Sequence, residues 1–274
     1  MDKKPTLAAA IITFNEEENI EACCASLNDL VDEIIVLDSY SQDRTKEICE
    51  RNPKVKFYQH PFDGHIQQKN RALQYCKTDW ILSLDADERL SEELSRSISK
   101  FLGNNPKEVG AKFPRLNYHM HRFIRYGGWY PNARYRLIRN GCAHWGGENP
   151  HDTIILNGPG AVLKGNLIHY SCKDLADQVK TINQFSSIVA LTRYNKGKST
   201  SWFRLLFKPL SKYMEIYFLK RGMLDGLQGF VIAVSSAYST FLKEAKLWEL
   251  TRLGSDKPSN LSGLYKKELE RSGD

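Results

Sequence analysis

The sequence lacks the features that mark membrane-spanning, disulfide-stabilised and zinc-stabilised proteins. Its six cysteines form no C-x-x-C pair and no cluster with histidine, which indicates reduced and mostly packed thiols. No segment supplies the roughly 20 predominantly apolar residues of a transmembrane helix, and the nearest, 226–242, is too short and too polar. The apolar run near the N-terminus is also short, so a buried strand is expected there rather than a signal peptide. These absences predict a cytoplasmic globular protein.

Acidic residues are scarce only in the C-terminal third. Residues 193–274 hold 15 Lys and Arg against 8 Asp and Glu, and they account for the whole net charge of +7. Such an excess is typical of proteins that bind an anionic partner, either membrane lipid or nucleic acid. A solvated helical surface would show the same composition, so charge alone leaves these interpretations open.

The first hundred residues alternate short apolar runs with helical patterns. The predicted strands are 6–13, 33–37, 54–58 and 80–84, and the predicted helices include 43–50, 65–76 and 91–102. Asn15 is expected to cap the helix after the first strand, with Glu18 as its capping-box partner. This alternation predicts an α/β fold with a parallel sheet and helices on both faces.

A different pattern begins near residue 109. Up to residue 170, Gly, Pro and Asn interrupt short apolar runs, which predicts mixed or antiparallel strands with long loops. After Lys173 the chain reads as helical, and apolar residues over 223–248 fall three or four apart on one face. We therefore predict an α/β domain over residues 1–172 and a helical C-terminal extension over residues 173–274.

Three predicted strands end in residues suited to ligand binding: Thr13, Asp38 and Asp85-Ala86-Asp87. Ligands of parallel α/β sheets bind beyond the carboxyl ends of the strands. Two carboxylates two positions apart can share Mg²⁺ or Mn²⁺, which also binds the oxygens of a leaving diphosphate. An isolated D-x-D also occurs by chance in polar turns. Asp38 would bond a nucleoside or, alternatively, cap the region of Asp43.

Basic side chains near this edge suit a pyrophosphate. Lys69 and Arg71 lie in the predicted helix before the fourth strand, and Arg136 lies in a basic strand. A solvated surface explains these three residues equally well. His169, in a later apolar strand, is a candidate third metal ligand, although a lone histidine there is also typical of a hydrogen-bonded core residue.

A second candidate site lies in residues 145–152. It combines a Gly pair with Trp145, His151 and the carboxylates Glu148 and Asp152. Ligand pockets place a few polar groups against aromatic side chains, and a carboxylate is the usual general base for activating a hydroxyl. The alternative is an ordinary loop.

With these residues in this order, the sequence resembles family 2 glycosyltransferases of the GT-A fold. Four segments carry the resemblance: Ile12-Thr13-Phe14-Asn15-Glu16-Glu17, residues 36–45 with Asp38, Lys69-Asn70-Arg71-Ala72-Leu73, and residues 80–88 with Asp85-Ala86-Asp87. Later segments are similar to the branch that includes bacterial lipopolysaccharide-core glucosyltransferases: His151-Asp152, His169-Tyr170-Ser171 and residues 224–230. That branch usually carries Glu after the first histidine, where this chain has Asp152.

The resemblance implies a Rossmann-like GT-A mixed sheet and an inverting, metal-assisted hexose transfer. The donor would be a nucleotide-sugar, expected to be a UDP-sugar, and the acceptor a cell-envelope glycan or a lipid-linked hydroxyl. The donor would be bound by Thr13, Asn15, Glu16, Asp38, Lys69, Arg71, Asp85 and Arg136, and Mg²⁺ or Mn²⁺ by Asp85, Asp87 and His169. Asp152 would be the base, with Glu148 in reserve because Asp152 departs from the family pattern.

Two other functions stay open from the residues alone. A nucleotidyltransferase would usually carry a Gly-rich phosphate loop near the N-terminus, where this chain has Asn15-Glu16. A non-catalytic module would bind nucleic acid through the basic third, but the acid-rich candidate site argues against nucleic acid.

The segment 202–222 indicates where the protein works. Its basic and aromatic residues fit a helix in the headgroup region of an anionic membrane, with Pro209 starting a new helix or kinking one. We therefore expect a cytoplasmic protein that docks peripherally on the inner face of the cytoplasmic membrane. A soluble helical cap with a solvated basic face is the alternative.

Overall fold

The computed structural model describes residues 5–148, 151–172 and 174–252, and the chain divides into two compact units. The first comprises Met1–Leu116 and Pro131–Tyr170, and the second comprises Asn117–Tyr130 and Ser171–Asp274. The segment 117–130 therefore groups with the C-terminal residues, whereas the sequence-based division at residue 172 placed it in the α/β domain.

Strands and helices alternate along the first unit. They are β1 (Leu7–Thr13), α1 (Ile20–Ala25), β2 (Glu33–Asp38), α2 (Thr45–Glu50), β3 (Val55–Gln59), α3 (His65–Tyr75), β4 (Trp80–Asp85), β5 (Glu88–Leu90), α4 (Glu92–Gly103) and β6 (Gly110–Phe113). Then follow β7 (Arg115–His119) and β8 (Arg122–Phe123), which lead into the second unit, and β9 (Arg134–Arg139), β10 (Ala143–Glu148), β11 (His151–Leu156), β12 (Gly160–Val162) and β13 (Leu167–His169).

Seven strands form one sheet in the order β12-β6-β9-β4-β1-β2-β3. Strands β1, β2, β3 and β4 pair in parallel, whereas β9 is antiparallel to both β4 and β6. The sheet is therefore mixed, as the change of pattern near residue 109 predicts. Strands β10 and β11 form a separate antiparallel hairpin, and β13 pairs antiparallel with β5.

Alternate residues of β1 and β2 are buried on opposite faces of the sheet, because successive strand side chains point to opposite sides. Leu7, Ala9 and Ile11 pack in a cluster with residues of α1 and α4, such as Ile20 and Leu94. Ala8 and Ala10 belong to a second cluster, which holds residues of α3 and of the β10–β11 hairpin. Helices thus cover both faces, and the predicted layers are confirmed.

One local prediction is wrong: Asn15 does not cap α1. The helix begins at Ile20, and its N-cap residue is Asn19, which makes no side-chain capping bond. Asn15 has a positive φ of 55°, and its Oδ1 accepts a hydrogen bond from the Gln42 backbone N–H at 2.8 Å. The side chain that was expected to cap the helix instead joins two loops.

The second unit is helical over most of its described residues. It contains α5 (Leu175–Asn195), α6 (Trp202–Met214), a π-helical turn (Glu215–Leu219), a 3₁₀ turn (Gly222–Asp225) and α7 (Gly226–Arg252). Pro209 lies inside α6 and does not begin a new helix. Among the described residues, none of the helices has the length and apolar character that crossing a membrane requires.

Asp225 and Gly229 hold the start of α7 in place. The Asp225 carboxylate, 2% exposed, accepts hydrogen bonds from the backbone N–H groups of Arg125 and Tyr126. A Cβ atom on Gly229 would lie 1.8 Å from the Gly222 carbonyl oxygen, so only glycine fits there. These two residues of the segment 224–230 therefore have structural roles within the second unit.

Candidate active site

The carboxyl ends of β1, β2 and β4 meet at one edge of the sheet. In the parallel register, Thr13 lies opposite Asp38 and Ile12 lies opposite Asp85. Strand pairing thus brings together the three strand ends that the sequence singles out. Crevices beyond such ends are where ligands of parallel sheets bind.

Asp38 is fully buried and organises the loop that follows β2. Its Oδ2 accepts hydrogen bonds from the Ser41 N–H at 2.9 Å and from the Gln59 side-chain amide at 3.0 Å, and its Oδ1 accepts one from the Ser41 hydroxyl. The Ser41 Oγ in turn accepts a hydrogen bond from the Asn15 N–H. Asp38 thus fastens the loop at Ser41, whereas Asp43 itself accepts the hydrogen bonds from Thr45, so the considered cap of the Asp43 region does not come from Asp38.

The loop after β1 is fastened to the loop after β2. The Glu16 N–H donates to the Thr45 hydroxyl at 2.9 Å, and the Glu16 carboxylate accepts a hydrogen bond from the Asn19 side-chain amide. Thr13 is 5% exposed, and its hydroxyl oxygen is buried without a hydrogen-bond partner among the described residues. This orphaned hydroxyl is a polar group that a bound ligand can satisfy.

Asp85 is bound by two buried cations. Its Oδ1 lies 3.0 Å from Lys69 Nζ, and its Oδ2 lies 2.9 Å from Arg136 Nη2. Burial raises the pKa of Asp85, but Lys69 and Arg136 outweigh burial and hold that pKa well below its usual range. The Asp85 carboxylate is therefore ionised and positions both cations.

Asp152 reaches the same cluster from the β10–β11 hairpin. Its Oδ2 lies 2.7 Å from Lys69 Nζ, so Lys69 bridges the carboxylates of Asp85 and Asp152. Lys69 Nζ also lies 4.2 Å from the ring centroid of Trp145, a buried residue whose backbone is fixed to α3 by two hydrogen bonds with Asn70. Strand pairing places Glu148 opposite His151, but the side chains of these two residues lie outside the described part.

These residues line a cavity of about 140 Å³ within the first unit. Four of its lining residues are cations and two are carboxylates: Lys69, Arg115, Arg134 and Arg136, with Asp85 and Asp152. A third carboxylate, the buried Glu88, pairs with Arg136 at 2.7 Å and lies 3.8 Å from Arg115, so one positive charge is left uncompensated. An anionic group such as a diphosphate would compensate this excess.

Glu88 belongs to the site, although the sequence analysis assigned it no role. It lies in the segment 80–88, directly after Asp85-Ala86-Asp87. It is fully buried, and its Oε1 accepts a hydrogen bond from Arg136 Nη2 at 2.7 Å, while its Oε2 accepts one from the Asp85 backbone N–H. Burial lowers the pKa of Arg136, but Glu88 and Asp85 outweigh burial and raise it above its usual value. Arg136 Nε and Nη1 are buried without partners among the described residues. Those two donors suit an anionic ligand.

The three predicted metal ligands do not lie in one cluster. Asp85 pairs with Lys69 and Arg136, whereas Asp87 Oδ2 lies 3.2 Å from His169 Nε2. Across the described ranges no group of three or more His, Cys, Asp or Glu side chains is arranged to hold a metal ion. Two ligand atoms at right angles, each about 2.1 Å from one Mg²⁺ or Mn²⁺, lie about 3 Å apart. Asp87 and His169 thus fit as two ligands of such an ion.

Arg71 does not line the cavity. Its guanidinium makes two parallel bonds to Asp63, from Nη1 to Oδ1 at 3.0 Å and from Nη2 to Oδ2 at 2.9 Å. Lys69 and Arg71 are two positions apart in α3, and residues at this spacing do not share a helix face. The structure therefore separates the two basic residues that the sequence grouped together.

Comparisons with known proteins find similar sequences over most of the chain. The glycosyl transferase family 2 model matches residues 9–153. A lipopolysaccharide core biosynthesis glycosyltransferase, LpsC of Rhizobium meliloti, is 30% identical over 91% of this chain and 94% of its own length. An uncharacterised glycosyltransferase of Rickettsia typhi is also 30% identical, over 89% of this chain and 87% of its own.

Among solved structures, the chain is similar to the mannosyltransferase PcManGT from Pyrobaculum calidifontis, crystallised with GDP-Man and Mn²⁺. The TM-score is 0.54 with 13% identity, over 90% of this chain and 88% of that one. At this identity the similarity establishes the fold alone, and the predicted GT-A fold is confirmed.

Proposed function

This chain belongs to glycosyl transferase family 2, and we propose that it transfers a hexose from a UDP-sugar to a hydroxyl of a cell-envelope glycan or lipid-linked acceptor, inverting the anomeric centre. The observation that carries the proposal is the ion cluster in which Lys69 bridges Asp85 and Asp152 at the carboxyl edge of the sheet. It puts a cation for the leaving group and a carboxylate base in one cavity.

The donor diphosphate would bind to the excess positive charge of this cavity. The free donors Nε and Nη1 of Arg136 would bond its oxygens, and Lys69 would move from the carboxylates toward the charge that develops on the leaving group. At the neighbouring strand ends, Asp38 and the orphaned hydroxyl of Thr13 would contact the nucleoside. Asn15 and Glu16 would contribute by fixing the loops around it.

A divalent cation, Mg²⁺ or Mn²⁺, would be held by Asp87 and His169, with Asp85 close by and the diphosphate oxygens completing the shell. Such an ion neutralises charge on the leaving diphosphate. The distance of 3.2 Å between Asp87 Oδ2 and His169 Nε2 supports this assignment.

The chemical step needs one base and no enzyme nucleophile. Asp152 takes the proton of the acceptor hydroxyl, and the acceptor oxygen forms a bond to the anomeric carbon. The bond from that carbon to the diphosphate oxygen breaks on the opposite side, and its electron pair leaves with the nucleoside diphosphate. A single displacement of this kind inverts the anomeric configuration. Glu148, on the same hairpin, is the reserve base.

Two observations support an envelope acceptor and peripheral contact with an anionic membrane. LpsC carries lipopolysaccharide core biosynthesis in its name. In the second unit, one side of α6 exposes six apolar side chains, Trp202, Phe203, Leu206, Phe207, Leu210 and Met214, while Arg204, Lys208 and Lys212 lie on the other side. Apolar and basic residues on one helix complement the hydrocarbon and headgroups of an anionic bilayer.

The function is tested by incubating the purified chain with Mn²⁺ and UDP-, GDP-, ADP- or TDP-sugars. A true donor should raise the melting temperature in proportion to its occupancy. Turnover should release nucleoside diphosphate, and release of pyrophosphate would instead indicate a nucleotidyltransferase.

The metal assignment has a double-mutant test. Asp87→Ala and His169→Ala should each weaken Mn²⁺-dependent UDP binding, and the double variant should lose much less than the sum of the two, because both residues would hold the same ion. Calorimetry that finds Mn²⁺ and UDP binding to Asp87→Ala as to the parent would refute the assignment.

Membrane contact is tested by co-sedimentation with vesicles. The chain should bind anionic vesicles more tightly than neutral ones, and Trp202→Ser/Phe203→Ser should bind both kinds of vesicle more weakly than the parent. Absence of binding by the parent at low salt would refute docking.

A further inference from the structure

The second unit contains a cavity of about 740 Å³ whose lining includes none of the catalytic candidates. Residues of α5, α6 and α7 and of the turns between them line it. Its volume lies within the range of about 300–1,000 Å³ in which proteins bind small ligands. Six cations line it: Arg193, Lys198, Arg204, Lys208, Lys212 and Lys243.

Only two carboxylates oppose these cations, and both are already paired. Glu244, whose side chain is 1% exposed, accepts hydrogen bonds from Arg193 at 2.8 Å and from Lys208 at 2.7 Å. Burial raises the pKa of Glu244, but the bonds from Arg193, Lys208 and Thr200 outweigh burial and lower that pKa to about 2. Glu215 pairs with Lys212 and with Lys220.

The remaining cations have no acidic partner in the described part of the chain: Lys198, Arg204 and Lys243. Lys243 is half-buried, and burial, followed by Lys212, Arg193 and Lys208, lowers its pKa. A solvated basic surface would leave such an ammonium group in water. Holding it beside other cations costs free energy unless an anion enters.

The arrangement of α6 orients charge toward this cavity. Arg204, Lys208, Ser211 and Lys212 line the cavity at positions three or four apart, while the apolar side chains of α6 are exposed on the other side. The cations therefore lie in one row on the side of α6 that lines the cavity and are not spread around the helix.

We propose that this cavity binds a phosphate group, as a phosphomonoester or a diphosphate. A phosphomonoester carries about 1.5 to 2 negative charges, whereas one carboxylate carries a single charge. Arginine and lysine give phosphate oxygens strong charge-assisted hydrogen bonds. The uncompensated charge of Lys198, Arg204 and Lys243 calls for a multiply charged anion of this kind.

The test is calorimetric titration of the full chain with inorganic phosphate at constant ionic strength. Arg204→Gln/Lys243→Gln should weaken phosphate binding at least about tenfold, since it removes two charge-assisted contacts. Lys180→Gln/Arg221→Gln removes the same charge from exposed positions of the second unit outside the cavity and should bind phosphate like the parent. Equal phosphate affinity in the two double variants would overturn the assignment.

Vesicle binding distinguishes the two sources of phosphate, and UDP binding serves as a control. If the cavity variant also loses binding to phosphatidic acid vesicles by a larger factor than to phosphatidylglycerol vesicles of equal charge, the phosphate belongs to a lipid headgroup. If only the titration with inorganic phosphate changes, the ligand is a soluble phosphate. Mn²⁺-dependent UDP binding, which is assigned to the first unit, should be the same in all variants, so failure of the donor assignment is distinguishable. Should the cavity variant not fold, the exposed Lys198→Gln repeats the test.

Discussion

Replacing the proposed base by its amide, Asp152→Asn, should separate catalysis from binding. Asparagine keeps the size of aspartate but cannot accept a proton at neutral pH. Loss of a general base lowers the rate by roughly 10²–10⁴-fold, or about 3–5 kcal/mol in activation free energy. The fold should change little, because Lys69 keeps its contact with Asp85 at 3.0 Å and the amide oxygen of the substituted side chain can still accept its hydrogen bond.

Donor affinity should move in the opposite direction from the rate. Asp152 is the partner closest to Lys69 Nζ, at 2.7 Å, and removing its charge leaves the cavity one unit more positive. UDP should therefore bind to Asp152→Asn at least as tightly as to the parent, while turnover falls. Titration calorimetry with UDP and Mn²⁺, together with an assay of nucleoside diphosphate release, measures both quantities.

The control is Glu148→Gln, which makes the same change on the paired strand. If Glu148→Gln abolishes turnover and Asp152→Asn does not, Glu148 is the base. If Asp152→Asn weakens UDP binding by as large a factor as it slows turnover, Asp152 is a binding residue and the reasoning about its charge is refuted.

Three further changes test the site and the two units. Asp38→Ala should weaken UDP binding itself, whereas Ser41→Ala, which removes the hydroxyl bonds to Asp38 and Asn15 but keeps the Asp38 carboxylate, should weaken UDP binding less; equal effects would mean that Asp38 acts through the loop. Gly229→Ala should lower the melting temperature, because its Cβ meets the Gly222 carbonyl, while Gly103→Ala, with nothing within 4 Å, should not. The pKa of Glu244 in the folded chain, about 2, is below its ordinary value of 4.5. The ionised Glu244 carboxylate therefore stabilises the fold fully above pH 4.5, and this stabilisation is lost as the pH falls toward 2. Denaturant unfolding should show the parent losing about 3 kcal/mol over that window and Glu244→Gln lacking this part of the pH dependence.

The strand ends could be predicted because they depend on local patterns. Buried strands and the residues that end them are visible in sequence, and the parallel register then places Thr13, Asp38 and Asp85 at one edge. The bridge from Lys69 to Asp152 spans 83 positions of the chain and depends on how the hairpin packs. No local pattern encodes such a distance, so sequence reasoning found both residues but not their contact.

Long-range contacts decide two features that local sequence patterns do not show. The Asn15 and Glu18 pattern is typical of a capping box, yet the Asn15 side chain bonds to Gln42 on another loop. The segment 117–130 follows strands of the sheet, but Gly127 and Tyr126 bond to Lys220 and Asp225 in the second unit. In both cases a partner distant in sequence decides the local structure.

The two faces of α6 allow the apolar and the electrostatic contributions to membrane binding to be compared. Burying a large apolar side chain contributes about 1.5–3 kcal/mol, whereas anionic lipid attracts each nearby Lys or Arg by about 1 kcal/mol. Trp202, at 69% exposure, is one of six exposed apolar side chains on α6, while Lys208 is already paired with Glu244 and Lys212 with Glu215. The apolar face should therefore supply most of the binding free energy, and the basic residues mainly the preference for anionic lipid. High salt should then weaken vesicle binding without abolishing it, and complete release by salt would show that charge alone holds the chain.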